Sequence, residues 1–121
     1  MEKVFWKVFN EKLSVDSWLH IDYHILQSYL RNNNQVLIVD VSAEDNHKLF
    51  LNKLITYKNI PLKDLIIRKS ELENYKEWII ICICAGGPKS SVAAMILRFD
   101  GYDSSFIVGG TEALALQAPI H

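Results

Sequence analysis

The run Ile79-Ile80-Ile81-Cys82-Ile83-Cys84, followed by Ala85-Gly86-Gly87-Pro88-Lys89-Ser90-Ser91 and then Val92-Ala93-Ala94-Met95-Ile96-Leu97, constrains this chain more than any other stretch. A continuous β-branched run without polar alternation suits a strand buried on both faces, as the strands of a parallel sheet are. The small residues after Ser91 suit a helix packed closely on that sheet. Strand, tight loop and helix in succession put Cys84 where the strand gives way to the loop. There, a glycine-rich turn and a helix N-terminus bring backbone N–H groups and a positive dipole end near the sulfur. Such a position stabilises a sulfur anion.

The same alternation extends along the chain. Met1 to His20 carries Val4, Phe5, Val8, Phe9 and Leu13 at helix-compatible spacing, with Trp6 and Trp18 as apolar bulk, though so short a segment can also hold a strand. It is expected to be an extension that packs on the domain or on a partner, with residues 21–121 forming the domain. Ile21 to Leu30 reads as a helix capped by Asp22, with Ile25, Leu26, Tyr29 and Leu30 on its apolar face. Gln35 to Val41 is a second buried strand, and Asp40 arrives at its carboxyl end. A short helix is expected within Ala43 to Leu54, a brief strand over Tyr57 to Ile60 stopped by Pro61, and a short helix marked by Leu62, Leu65 and Ile66. After the Cys84 loop, the helix from Ser91 to Arg98 closes at Asp100-Gly101. A strand follows over Ser105 to Val108, and Gly109-Gly110 turns into a last helix through Leu116. This pattern predicts an α/β domain with a central parallel sheet and helices on both faces, in which sites lie beyond the carboxyl ends of the strands.

With 121 residues, 50% of them hydrophobic, the chain can fill one core. A net charge of -1 without long runs of either sign argues against nucleic acid or a membrane surface as partner, leaving small molecules and proteins. A homodimer through the N-terminal extension is a further expectation. The 2 cysteines are too few for a disulfide framework, and Met1-Glu2-Lys3-Val4 does not open a secretory signal, so a cytoplasmic location is expected.

A free thiol has a pKa of ~8.5 and is mostly protonated at neutral pH, whereas a helix N-terminus lowers that value and supplies thiolate without a base. The loop must do this work, because His20, His24, His47 and His121 are not placed by sequence to pair with Cys84. Ala85, Gly86, Gly87, Lys89 and Ser90 each offer a backbone N–H, Lys89 adds a charge, and Pro88 offers no donor. A persulfide on Cys84 would need several such donors around its terminal sulfur. The alternative is that Cys84 is a small buried hydrophobe beside an ordinary turn.

These residues resemble the active loop of the rhodanese family. Cys84, Gly87, Lys89, Ser90, Ala93, Ala94 and the pair Gly101-Tyr102 fall where that family places its catalytic cysteine, loop glycine, basic residue, small helix residues and closing glycine-aromatic pair. Val36 to Val41 resembles its strand ending in Asp-Val, Asn59-Ile60-Pro61-Leu62 its Asn-Ile-Pro-Leu, and Gly109-Gly110 with Ala113 its Gly-Gly-x-x-Ala turn. The resemblance implies a sulfurtransferase without metal or organic cofactor. Cys84 would take sulfane sulfur from thiosulfate or a persulfide and pass it to cyanide, a thiol or a protein cysteine. Ala85, Gly86, Gly87, Pro88, Lys89 and Ser90 would form the persulfide-binding loop, and Asp40 would either orient that loop or cap the next helix.

The sequence departs from the family in places. Ser42 stands where many relatives have arginine, residues 53–56 lack the common Gly-His-Ile-x-Gly pattern, Lys89 replaces a frequent arginine, and Pro88 removes a donor. Two other functions share some of these features. One is a rhodanese-like module that binds a protein and does no chemistry. The other is a cysteine phosphatase or arsenate reductase, whose longer loop ends in an arginine that would fall at Ser90. Neither Ser90 nor Lys89 supplies its bidentate grip. Cys82, flanked by isoleucines, reads as core, and two cysteines separated by one residue do not make a zinc pattern.

Overall fold

The computed structural model describes residues 19–32, 35–43, 55–84 and 88–107. Their strands are β1 (His20–Ile21), β2 (Val36–Asp40), β3 (Thr56–Asn59), β4 (Ile79–Ile83) and β5 (Asp103–Ile107). The helices are α1 (Tyr23–Asn32), α2 (Leu65–Arg68) and α3 (Pro88–Phe99), with 3-10 turns at Leu62–Asp64 and Lys69–Tyr75 on either side of α2. All strand pairs are parallel, in the order β1-β5-β4-β2-β3. The expected α/β architecture is therefore present, with the isoleucine-rich β4 at its centre.

Strand alternation divides the buried residues into two layers. On one face Leu37, Val39, Ile80, Cys82 and Cys84 meet Ala93, Ala94 and Leu97 of α3, with Leu65 and Leu72 beside them. On the other, Val36, Ile38, Ile81 and Ile83 meet Leu26 of α1, with Tyr23, Tyr29 and Leu30 packed around it. Both faces of β4 are covered, which explains its unbroken hydrophobicity. The alanines of α3 let that helix lie close to the sheet.

Local signals set the helix limits. Asp22 caps α1, its Oδ1 accepting the Ile25 N–H at 2.9 Å. At the end of α3, the Gly101 N–H donates to the Arg98 carbonyl and the Tyr102 N–H to the Leu97 carbonyl, both at 3.0 Å. With Gly101 at φ 89° and with Tyr102 and Leu97 in the same core layer, this is a Schellman closure.

Some elements differ from expectation. Ile25 is exposed, and Tyr23 takes its place on the inner face of α1. Ile66, 64% exposed, does not anchor α2; that single helical turn reaches the core through Leu65. The α3 helix starts at Pro88 rather than Ser91. Strand β1 pairs His20 with Phe106 and Ile21 with Ile107, at the boundary drawn between extension and domain. Two residues are too few to carry a strand pattern. The helix expected within Ala43 to Leu54, the Gly109-Gly110 turn with its following helix, and the role of residues 1–18 lie outside the described residues. Among the described residues, no helix is long and apolar enough to cross a membrane.

Candidate active site around Cys84

Strands β2 and β4 end level, because Asp40 pairs with Ile83. Cys84 follows Ile83 directly, at the carboxyl edge of the central strand. The Val41 N–H donates to the Ile83 carbonyl at 2.9 Å, so the backbone entering Cys84 is tied to the end of β2. From the other side, the Ser90 backbone N–H donates to Cys84 Sγ at 3.4 Å. Parallel strand and following helix thus converge on the sulfur, which is almost fully buried. A helix N–H and the positive end of α3 both favour negative charge on that atom.

Ala85, Gly86 and Gly87 lie outside the described residues. Pro88 is the first residue of α3, a position whose N–H has no partner within the helix, so a proline fits there without loss of a helical bond. Lys89 is exposed on the first turn and adds positive charge to the end of α3 nearest Cys84. Ser90 is completely buried, and its main-chain N–H is directed at the sulfur. Ser91 turns back on the helix, its hydroxyl donating to the Pro88 carbonyl at 2.8 Å.

Cys82 faces the same layer but sits within β4, completely buried. Burial, with Cys84 close by, pushes its thiol up to about 12. It is core, as its isoleucine neighbours suggest. Of the described histidines, His24 is exposed on α1, against the opposite face of the sheet. His20 lies on β1, with β5 between it and β4. Two strand spacings put its backbone about 10 Å from that of β4.

Asp40 is completely buried, and strand alternation turns its side chain to the face opposite Cys84. Its Oδ1 accepts the Ser42 N–H at 2.9 Å and its Oδ2 accepts the Tyr57 hydroxyl at 2.7 Å. Asn59 Nδ2 donates to the Asp40 carbonyl at 2.9 Å and to the Ser42 carbonyl at 3.1 Å. Among the described residues, a backbone route through Val41 and Ile83 joins Asp40 to the Cys84 segment. Tyr57 was not singled out from the sequence, and no local signal marks it. Its partner is 17 residues away on the adjacent strand.

No protein-family model and no curated protein match this sequence. Solved structures do. A rhodanese-related protein from Thermoplasma volcanium aligns with a TM-score of 0.64 and 21% identity, over 81% of this chain and 91% of its own. A rhodanese-like domain protein from Staphylococcus aureus aligns with a TM-score of 0.62 and 26% identity, over 78% of this chain and 89% of its own. The NAD-dependent persulfide reductase from A. fulgidus aligns with a TM-score of 0.53 and 22% identity, over 74% of this chain but 17% of its own.

Proposed function

Because the chain is a rhodanese-like domain, we propose that it is a sulfurtransferase working through a persulfide on Cys84. The observation that carries this reading is the Ser90 N–H directed at Cys84 Sγ from the first turn of α3. In the first step, the Cys84 thiolate attacks the outer sulfur of thiosulfate or of a persulfide. A new S–S bond forms, the donor's S–S bond breaks, and sulfite or the donor thiolate leaves. In the second, an acceptor such as cyanide or a thiolate attacks the terminal sulfur, taking it as thiocyanate or a new persulfide and returning the Cys84 thiolate. Sulfur moves in both steps, and no outside electrons are needed.

The α3 N-terminus supports this chemistry by stabilising anionic sulfur in both the thiolate and persulfide forms. A segment of this fold also occurs within a persulfide reductase. The reading includes a cytoplasmic protein whose partners are a small sulfur donor and a thiol or protein acceptor.

Mass spectrometry tests it. After incubation with thiosulfate or glutathione persulfide, the protein should gain one sulfur on Cys84. Cyanide should remove that sulfur, and Cys84→Ala should never acquire it. A folded protein that gains no sulfur from either donor class would instead be a protein-binding module.

A further inference from the structure

We propose that Tyr57 is a positioning residue for the Cys84 nucleophile, holding the Asp40–Ser42 turn that fixes the backbone at Ile83. This inference rests on the reading of Cys84 as the reacting group.

Strand β3 is an edge strand whose residues Tyr57 and Asn59 face the same side of the sheet as Asp40. Tyr57 donates its hydroxyl to Asp40 Oδ2 at 2.7 Å, while the Ser42 N–H occupies Oδ1. Asn59 bridges the Asp40 and Ser42 carbonyls, the Ile60 N–H donates to the Asp40 carbonyl at 2.9 Å, and the Leu62 N–H donates to the Val41 carbonyl at 3.1 Å. The turn is therefore gripped from the β3 side through both side chain and main chain. Val41, at its centre, donates to the carbonyl of Ile83, the residue bonded to Cys84. A displacement of the turn moves Ile83, and with it the sulfur, relative to the Ser90 N–H.

Of these bonds, the Tyr57–Asp40 bond is the one that joins two side chains. The main-chain bonds survive most substitutions, but a phenol meeting a buried carboxylate depends on one side chain. At the next turn position the Ser42 main-chain N–H donates to the other carboxylate oxygen of Asp40. The Tyr57 hydroxyl is then a charge-assisted donor to a carboxylate with no exposure to solvent. Such bonds are stronger than neutral ones, and a buried carboxylate deprived of one rearranges to recover it.

The test compares wild type, Y57F, D40N, the double variant and K58A, whose side chain lies on the opposite face of β3. Two readouts are used: the rate of Cys84 alkylation by iodoacetamide at pH 7, and steady-state sulfur transfer from thiosulfate to cyanide. Y57F is expected to alkylate about threefold to tenfold more slowly, less than the full worth of a charge-assisted hydrogen bond because the effect reaches Cys84 indirectly through the backbone. In the transfer assay kcat should fall with KM for thiosulfate unchanged. The Y57F effect should disappear in the D40N background, and K58A should match wild type. Folded Y57F that alkylates at the wild-type rate, or Y57F and D40N losses that simply multiply, would overturn the proposal. If Y57F does not fold, D40N alone decides, since it weakens the same bond from the acceptor side: slowed alkylation supports the proposal and wild-type alkylation overturns it. If wild type transfers no sulfur, the sulfurtransferase reading fails, and the alkylation comparison still decides the role of Tyr57.

Discussion

Cys82 and Cys84 lie two positions apart, one within β4 and one just past its end, and face the same layer of the core, yet their surroundings differ. Cys82 is enclosed by the sheet and α3, where an ionised sulfur has nothing to replace lost water. Cys84 lies one residue past the hydrogen-bonded end of β4, where a helix N–H reaches its sulfur. Displacement by one pleat repeat separates a thiol held neutral by burial from one that meets a helix N–H. The difference between the two thiols lies in where the strand stops.

Serine substitution should break the comparison most sharply. Cys84→Ser is expected to abolish sulfur uptake as read by mass spectrometry, whereas Cys82→Ser should keep it. Uptake lost equally in both variants would mean that the two thiols act together.

Cys82→Ser should instead lower stability by about 1–3 kcal/mol, read by urea denaturation, because it buries a hydroxyl among apolar side chains. The Cys82 thiol also predicts a pH dependence. Its value rises from near 9 to about 12 on folding. The unfolded chain therefore releases this proton first, and the associated stability is present below pH 9 and declines as pH rises towards 12. Cys82→Ala should flatten that decline; an unchanged slope would place the titration elsewhere.

Gly101→Ala probes the other end of the helix that serves Cys84. Space is open around an added Cβ, but the positive φ costs about 1–2 kcal/mol. Thermal unfolding should register this loss while Cys84 alkylation stays at its wild-type rate. Slower alkylation would show that the start of α3 feels its far end.

The smallest effect belongs to Lys89, exposed on the first turn of α3. Lys89→Ala should raise KM for thiosulfate roughly twofold to fivefold, the size expected of an exposed charge at a helix terminus. Salt should erase the difference. A salt-independent change would assign Lys89 a role other than charge.

Elements whose pattern is local were legible from sequence. The β-branched runs of β2 and β4, the Asp22 cap and the Gly101 closure each depend on neighbouring residues, and each appears as read. The two-residue β1 has no period to display and exists through its pairing with β5. Ile25 and Ile66 fit an apolar reading of their helices, but exposure depends on what those helices meet. Of the site, the place of Cys84 at the strand end and the closeness of Ser90 followed from their order along the chain. Asp40 could be placed at the same edge, but not on a face, and Tyr57 had no sequence mark at all.

By itself, then, the sequence determined that a cysteine would stand between a buried parallel strand and a helix N-terminus, because strand and helix propensities, glycine and the hydrophobic run all act over a few residues. Only the tertiary structure decided that Asp40 lies across the sheet from Cys84 and is met there by Tyr57. The pairing of β2 with β3 and β4 sets that register, and such pairing joins residues distant in the chain through hydrogen bonds that no local pattern encodes.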